Sequence, residues 1–227
     1  MCGRFNQRLS PAQWAEVFDT LRMPQTEYES LQTRYNTAPM QATAAIRSGT
    51  EGPELATLQW KLIPAWSKTR AIKFNTINAK AETIETSGTY RTPFRRRRCL
   101  IPAAGFYEWP KPNSREFDDK KPFYIYLTDH RPMCFAAIWD RWEKSDPAID
   151  SFSIITVAAN QMMATFHDRM PAILKTRDWN VWLDTEIEDT DLLQSLLQPR
   201  AEDDLMKRRV GNYVNDWRNE GANCLQE

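Results

Sequence analysis

Four short apolar runs, spread along 227 residues and bounded by polar turn material, limit what this chain can fold into. Ala56, Leu58, Trp60 and Leu62 alternate with Thr57, Gln59 and Lys61, the period-2 pattern of a strand with one face buried. Residues Pro122 to Thr128, Met133 to Trp139 and Phe152 to Ala158 are rich in aromatic and β-branched side chains and predict three more strands. The helical signals are short. Ser10-Pro11-Ala12-Gln13 supplies an N-cap, a first-turn proline and a capping box, and Trp14, Val17, Phe18 and Leu21 then form an apolar stripe. Asn160 caps a short helix carrying Met162, Met163 and Phe166, which ends ahead of Pro171. Two further helices are predicted near Thr176 to Leu183 and Asp191 to Gln198. With no internal repeat and no linker, strands dominating and helices at the periphery, the pattern is that of one α+β domain spanning 1–227.

Composition narrows the function classes. The chain is 41% hydrophobic and 26% charged, ordinary globular values, and is long enough to bury a substantial core. Thirty Lys plus Arg balance thirty Asp plus Glu, so no global field draws it to polyanions and any nucleic-acid site must be a local patch. Cys2, Cys99, Cys134 and Cys224 form no CxxC pair, which argues against a bound metal or a secreted disulfide framework and for a reducing, cytoplasmic setting. No apolar run approaches the roughly 20 residues that span a bilayer, and no signal peptide opens the chain, so no membrane partner is expected.

The chemistry concentrates at Met1-Cys2-Gly3-Arg4-Phe5. If Met1 is removed, Cys2 becomes a 1,2-aminothiol whose thiol and amine have ordinary pKa values of roughly 8.5 and 7.7 to 8.0. With an aldehyde the amine forms an imine, and the thiol closes on the same carbon to give a thiazolidine. From the pentapeptide alone, Cys2 is equally a small buried residue. Arginines nearby would favour its thiolate. Glu108 lies in the apolar stretch from Cys99 to Trp109, where desolvation would raise its pKa toward that of a general acid or base, unless it points to solvent. His167, beside Asp168 and Arg169, is one of two histidines; it is either a structural group or a proton carrier. Trp66 follows Pro64 on a loop, as a lid on the core or a base-stacking wedge. Arg34 to Pro39 reads as a connector, and Asn75 to Glu82 passes from strand to helix with Asn78 near the junction. Arg91 and the run Arg95 to Arg98 form a solvated face or a phosphate contact. Residues 111 to 121 are polar enough for an exposed hairpin loop.

Taken in order, the MCGRF start, Arg34-Tyr-Asn-Thr-Ala-Pro39, Trp60-Lys-Leu-Ile-Pro-Ala-Trp66, Asn78-Ala-Lys-Ala-Glu-Thr83, Arg98 to Trp109, His167-Asp-Arg-Met-Pro171 and the Asn219-Glu-Gly ending resemble the SRAP family, the SOS-response-associated peptidase-like proteins. The resemblance covers nearly the whole chain. It implies a single SRAP-like domain with a mainly antiparallel, barrel-like β core. It also implies a monomer that crosslinks to abasic sites in single-stranded DNA and at single-strand/double-strand junctions, shielding the lesion, with no cofactor. On this pattern Cys2 is the nucleophile, Asn78 positions the sugar, and Glu108 and His167 are the acid/base pair. Arg4 and Arg169 hold phosphates, and Pro39 with Trp66 shapes the DNA path. Lys80 stands where the family often has arginine, keeping the charge but losing the planar fork. Ala104 stands where many relatives carry aspartate.

Two rivals differ in class. An N-terminal-nucleophile amidotransferase or hydrolase would turn the Cys2 thiolate on a carbonyl, leaving Glu108 and His167 surplus. A single-stranded DNA binder would use the aromatics and arginines without a covalent step. The family's label also suggests autoproteolytic removal of Met1, although an aminopeptidase explains a mature cysteine more simply.

Overall fold

In a computed structural model, residues 2–24, 33–111 and 121–227 are described. The strands run in chain order as β1 (Phe5–Asn6), β2 (Ala42–Gly49), β3 (Gly52–Trp60), β4 (Asn78–Lys80), β5 (Arg98–Ala103) and β6 (Gly105–Glu108). They continue with β7 (Phe123–Leu127), β8 (Met133–Trp142), β9 (Ile149–Ala158), β10 (Arg169–Pro171), β11 (Ile173–Leu174) and β12 (Leu205–Arg209). The helices are α1 (Pro11–Leu21), α2 (Arg91–Arg96), α3 (Gln161–Ala164), α4 (Trp179–Leu183) and α5 (Thr190–Leu196).

Strand β9 explains the architecture. Ten residues long, it pairs antiparallel with β8 along one edge and parallel with β3 on the other, while β2 and β5 complete a ring back to β8. Five strands therefore close into a mixed barrel, which leaves no free edge among them. The far end of β9 still has hydrogen bonds to give. It takes β4 in parallel, with Asn78 opposite Ile154, and β10 antiparallel, with Arg169 opposite Ala158. Asn78 and Arg169 thus flank one strand end although 90 residues separate them in sequence.

A second sheet, in the order β1-β6-β7-β12, is antiparallel throughout and covers the barrel. Phe5 of β1 packs on Trp60 (ring centroids 5.1 Å) and Phe135 (5.7 Å), and Phe106 of β6 meets the same Phe135 at 6.1 Å. These fully buried rings weld the short N-terminal strand to the core. Gly105 permits the approach, because a Cβ there would lie 2.5 Å from the Ile125 carbonyl oxygen.

The predicted strands are all present, and α1 forms with the Ser10 capping box and with Trp14, Val17, Phe18 and Leu21 buried. Asn160 caps α3 through a bond from the Met163 N–H. The helix predicted from Thr176 begins as a 3₁₀ turn and becomes α4. The loop predicted at 111 to 121 falls mostly outside the described residues. The arginine run is not one face. Arg91, Arg95 and Arg96 are exposed, Arg97 pairs with Asp140 at 2.9 Å, and Arg98 is fully buried. The Arg98 guanidinium donates to the carbonyls of Trp182 (2.7 Å), Phe94 (3.0 Å) and Ile187 (3.1 Å), with a further bond to that of Asp184. It ties α2 to α4, and burial pulls its pKa down to about 10. Among the described residues, no helix is long and apolar enough to cross a membrane.

Candidate active site

The N-terminal segment is held by backbone and side chain together. Phe5 and Thr37 exchange backbone hydrogen bonds at 3.1 and 2.8 Å, and the Tyr107 N–H donates to the Arg4 carbonyl at 2.9 Å. Gln7, fully buried, donates to the carbonyls of Ala44 (2.7 Å) and Pro102 (3.0 Å) and accepts from the Ala44 N–H and the Thr43 hydroxyl. A buried amide with this many partners has one position only. Residues 4–7 form a fixed stem, and Cys2 stands at its tip.

Around that tip the structure brings three of the four predicted reacting residues into register. Asn78 Nδ2 donates to the Cys2 carbonyl oxygen at 3.0 Å. Its Oδ1 is buried and, among the described residues, unpaired, an acceptor left for something else. Glu108, at the end of β6, is 7% exposed and is electrostatically coupled to Cys2. Burial pushes the Glu108 carboxyl up to about 7, and the Trp109 N–H reaches its Oε1 at 3.3 Å. The second possibility, a glutamate pointing to solvent, is therefore excluded.

Cys2 corrects one expectation. It is fully buried, and desolvation pushes its thiol up to about 12, with the Glu108 charge adding to the shift. The thiolate expected from neighbouring arginines is not favoured: desolvation and the Glu108 charge outweigh the backbone hydrogen bond at Arg4, the one contribution an arginine makes there.

His167 follows α3 at the mouth of β10. Its Nδ1 accepts the Arg169 N–H at 3.0 Å, so in the neutral ring the proton sits on Nε2. Burial holds its pKa below the ordinary value. Lys111, just past β6, bonds Asp168 beside His167 at 2.6 Å.

The other predicted residues are distributed unevenly. Arg169 makes a two-pronged salt bridge to Glu82 at 2.6 and 2.8 Å and donates to the Thr156 carbonyl, which joins β10 to the turn after β4. Lys80, on β4, is exposed. Trp66 is 58% exposed, so it is no lid on the core. Its loop is nonetheless rigid at the base, where the Ala65 N–H donates to Asp140 and the Trp142 indole to the Ser67 carbonyl. Pro39 is half-buried beside exposed Met40. Arg4 faces inward: its Nη1 donates to Asn36 Oδ1 and the Val214 carbonyl, each at 2.8 Å, and its guanidinium lies 6.0 Å from the Trp109 ring. The Asn36 amide in turn is aimed at the carbonyls of Val214, Asp216 and Asn219. The Arg34 to Pro39 segment is thus more than a connector, since it locks the start of the chain to its end.

The chain matches the model of the SOS response associated peptidase (SRAP) family over residues 1–217. The chain belongs to the SRAP family. It is 34% identical over 228 residues to the abasic site processing protein YoqW of Bacillus subtilis (strain 168), covering 100% of this chain and 99% of that one. It is 31% identical to the abasic site processing protein YedK of Escherichia coli (strain K12), covering 100% and 99%. A crystal structure of a protein from Bacteroides thetaiotaomicron superposes with a TM-score of 0.84 at 24% identity, covering all of both chains, so the two share one fold.

Gln7, Thr43 and Glu82 gave no individual signal in the sequence. A lone polar residue in a mixed segment says nothing of burial, and Glu82 was visible only as part of a motif.

Proposed function

We propose that this protein acts on abasic sites in DNA and, once Met1 is removed, bonds covalently to them through Cys2. The observation that carries the reading is the convergence on Cys2 of Asn78, with its unpaired Oδ1, and Glu108, with a pKa near 7. The relatives' names as abasic site processing proteins support it.

An abasic sugar rests mostly as a ring-closed hemiacetal. His167, bearing its proton on Nε2, gives it to the ring oxygen as the bond from that oxygen to the anomeric carbon breaks, and the proton lost by the anomeric hydroxyl returns to Nε2 through water, so the ring opens to the aldehyde with no net proton change. Glu108 accepts a proton from the Cys2 ammonium; the freed amine adds to the aldehyde carbon, and the carbinolamine loses water, with the proton returned by Glu108. The thiol then adds across the C=N bond, its proton passing to nitrogen, and a thiazolidine forms. The net change is the release of one water. Asn78 holds the Cys2 carbonyl and offers Oδ1 to a sugar hydroxyl, which converts an encounter into a positioned reaction. A neutral thiol suits this order, because attack by nitrogen comes first.

Single-stranded DNA and junctions are the natural substrates, with Trp66 stacking on an unpaired base beside Pro39. Lys80 and Arg169 face phosphates, Arg169 by sharing its guanidinium between Glu82 and the backbone. Arg4 contributes by anchoring the Cys2 stem. A monomer suffices, since every proposed group comes from one chain. An aminopeptidase removes Met1, as a buried neutral thiol is poorly suited to cleaving the bond before it.

Incubation with an oligonucleotide carrying one abasic site should give a protein–DNA band that survives denaturation. Its mass should equal that of the partners less one water. The band should vanish in Cys2→Ala and in protein that retains Met1. Equal crosslinking by both variants defeats the proposal, as does glutamine hydrolysis without crosslinking.

A further inference from the structure

Glu108 and His167 serve one reaction but stand on different layers of the fold. Glu108 ends β6, in the four-stranded covering sheet, while His167 lies between α3 and β10, on the barrel side. Proton transfers at a single sugar need the two groups at a fixed spacing, and a misplacement of about 1 Å can cost about 10²-fold in rate. Something must hold the layers in register here.

An apolar contact and an ionic one bridge them. In the pairing of β6 with β7, Phe123 stands opposite Glu108. Its ring meets that of Phe166, the residue before His167, with centroids 4.9 Å apart at 57°, and both rings are buried. The ionic contact lies on the outside. Lys111, three residues after Glu108, meets Asp168, the residue after His167, at 2.6 Å. One contact would leave the segments free to hinge about it; two, placed on either side of His167, do not. The backbone on each side is firm enough to pass the constraint on. The His167 N–H donates to the Met163 carbonyl at 2.9 Å and the Ala159 N–H to that of Asp168 at 3.0 Å. On the other layer the Trp109 indole donates to Asn215 Oδ1 at 2.8 Å, which anchors the segment leading to Lys111. The Asp168 side chain is 82% exposed, so its ion pair adds little to stability and acts through geometry.

We propose that Lys111, Asp168, Phe123 and Phe166 are positioning residues that clasp the covering sheet to the barrel and set the spacing between Glu108 and His167. The proposal rests on the abasic-site reading for the reaction it serves, but the clasp itself is tested without DNA. Beyond burial, which lowers the His167 pKa, Asp168 raises it, and Lys111 and Arg169 lower it. The chain has two histidines, so an NMR titration follows each ring separately. Asp168→Asn should lower the His167 pKa and Lys111→Met should raise it. If neither moves it, the ion pair does not face His167 and the proposal falls.

The second measurement is the maximal rate of adduct formation with a saturating abasic oligonucleotide, at about pH 8, where His167 is neutral. Lys111→Met and Asp168→Asn should each lower it about 3-fold. The double variant should lose no more than either single one, because both remove the same contact. Exchanging the charges, Lys111→Asp with Asp168→Lys, should restore most of the rate. Phe166→Leu should cost about 10-fold. An oligonucleotide carrying tetrahydrofuran in place of the abasic sugar has no aldehyde and reports binding alone. Its affinity should match the parent's in the double variant, the exchange and Phe166→Leu, none of which alters net charge. Additive losses, an exchange that restores nothing, a loss confined to affinity, or a lowered Tm with an unchanged rate each overturn the proposal. A parent that forms no adduct defeats the abasic-site reading instead, and the titration then decides the clasp.

Discussion

Glu108 shows how one residue's environment decides its chemistry. A carboxyl at the end of β6 would titrate near 4.5 in water, but burial moves it to about 7. The folded chain therefore binds this proton more tightly than the unfolded one. The corresponding stability is fully present below about pH 4.5 and is lost as the pH rises through about 7, amounting to on the order of 3 kcal/mol. Glu108→Gln should accordingly melt higher than the parent above pH 7 and converge with it in acid, as followed by thermal denaturation across pH. The same substitution should slow adduct formation and remove an inflection near pH 7 from its rate profile. A rate profile that keeps the inflection would assign it to another group. Cys2 shifts for the same reason, and its neutrality explains why arginine proximity in sequence was a poor guide to thiolate character.

At the scale of elements, β1 is two residues long and could not persist without its neighbours. Phe5 gives it apolar anchorage and Gln7 gives it polar anchorage. Gln7→Leu keeps the volume but strands the Ala44 N–H, the Ala44 and Pro102 carbonyls and the Thr43 hydroxyl. A loss of about 2–4 kcal/mol should follow, seen as a fall in Tm of roughly 5 °C or more. Crosslinking to the abasic oligonucleotide should drop with it, through a displaced Cys2. Helix α1 and strands β3, β7, β8 and β9 were legible because period and capping are local signals. Arg98 was not, since charge in a run of arginines normally faces water. Only the carbonyl-lined gap between α2 and α4 makes its burial tolerable.

For the molecule as a whole, the two ends of the chain meet. Arg4 and Asn36 clasp the carbonyls of Val214, Asp216 and Asn219, and Glu220 accepts the Tyr35 N–H at 2.9 Å. Removing residues 217–227 should lower both Tm and the crosslinking rate, because Asn36 would lose the Asn219 carbonyl and the Tyr35 N–H would lose Glu220 on the reverse side of the Cys2 stem. Unchanged crosslinking by a truncated protein of lowered Tm would separate the tail from the site. Sequence alone determined the main element types and the α+β class and named the candidate reacting groups, because periodicity, capping and the aminothiol that Cys2 would carry are properties of neighbouring residues. Tertiary structure alone decided that β9 closes a barrel, that Asn78 and Arg169 flank its end, and that Glu108 is buried beside Cys2. Those outcomes depend on pairings and desolvation between segments tens of residues apart, which no local pattern encodes.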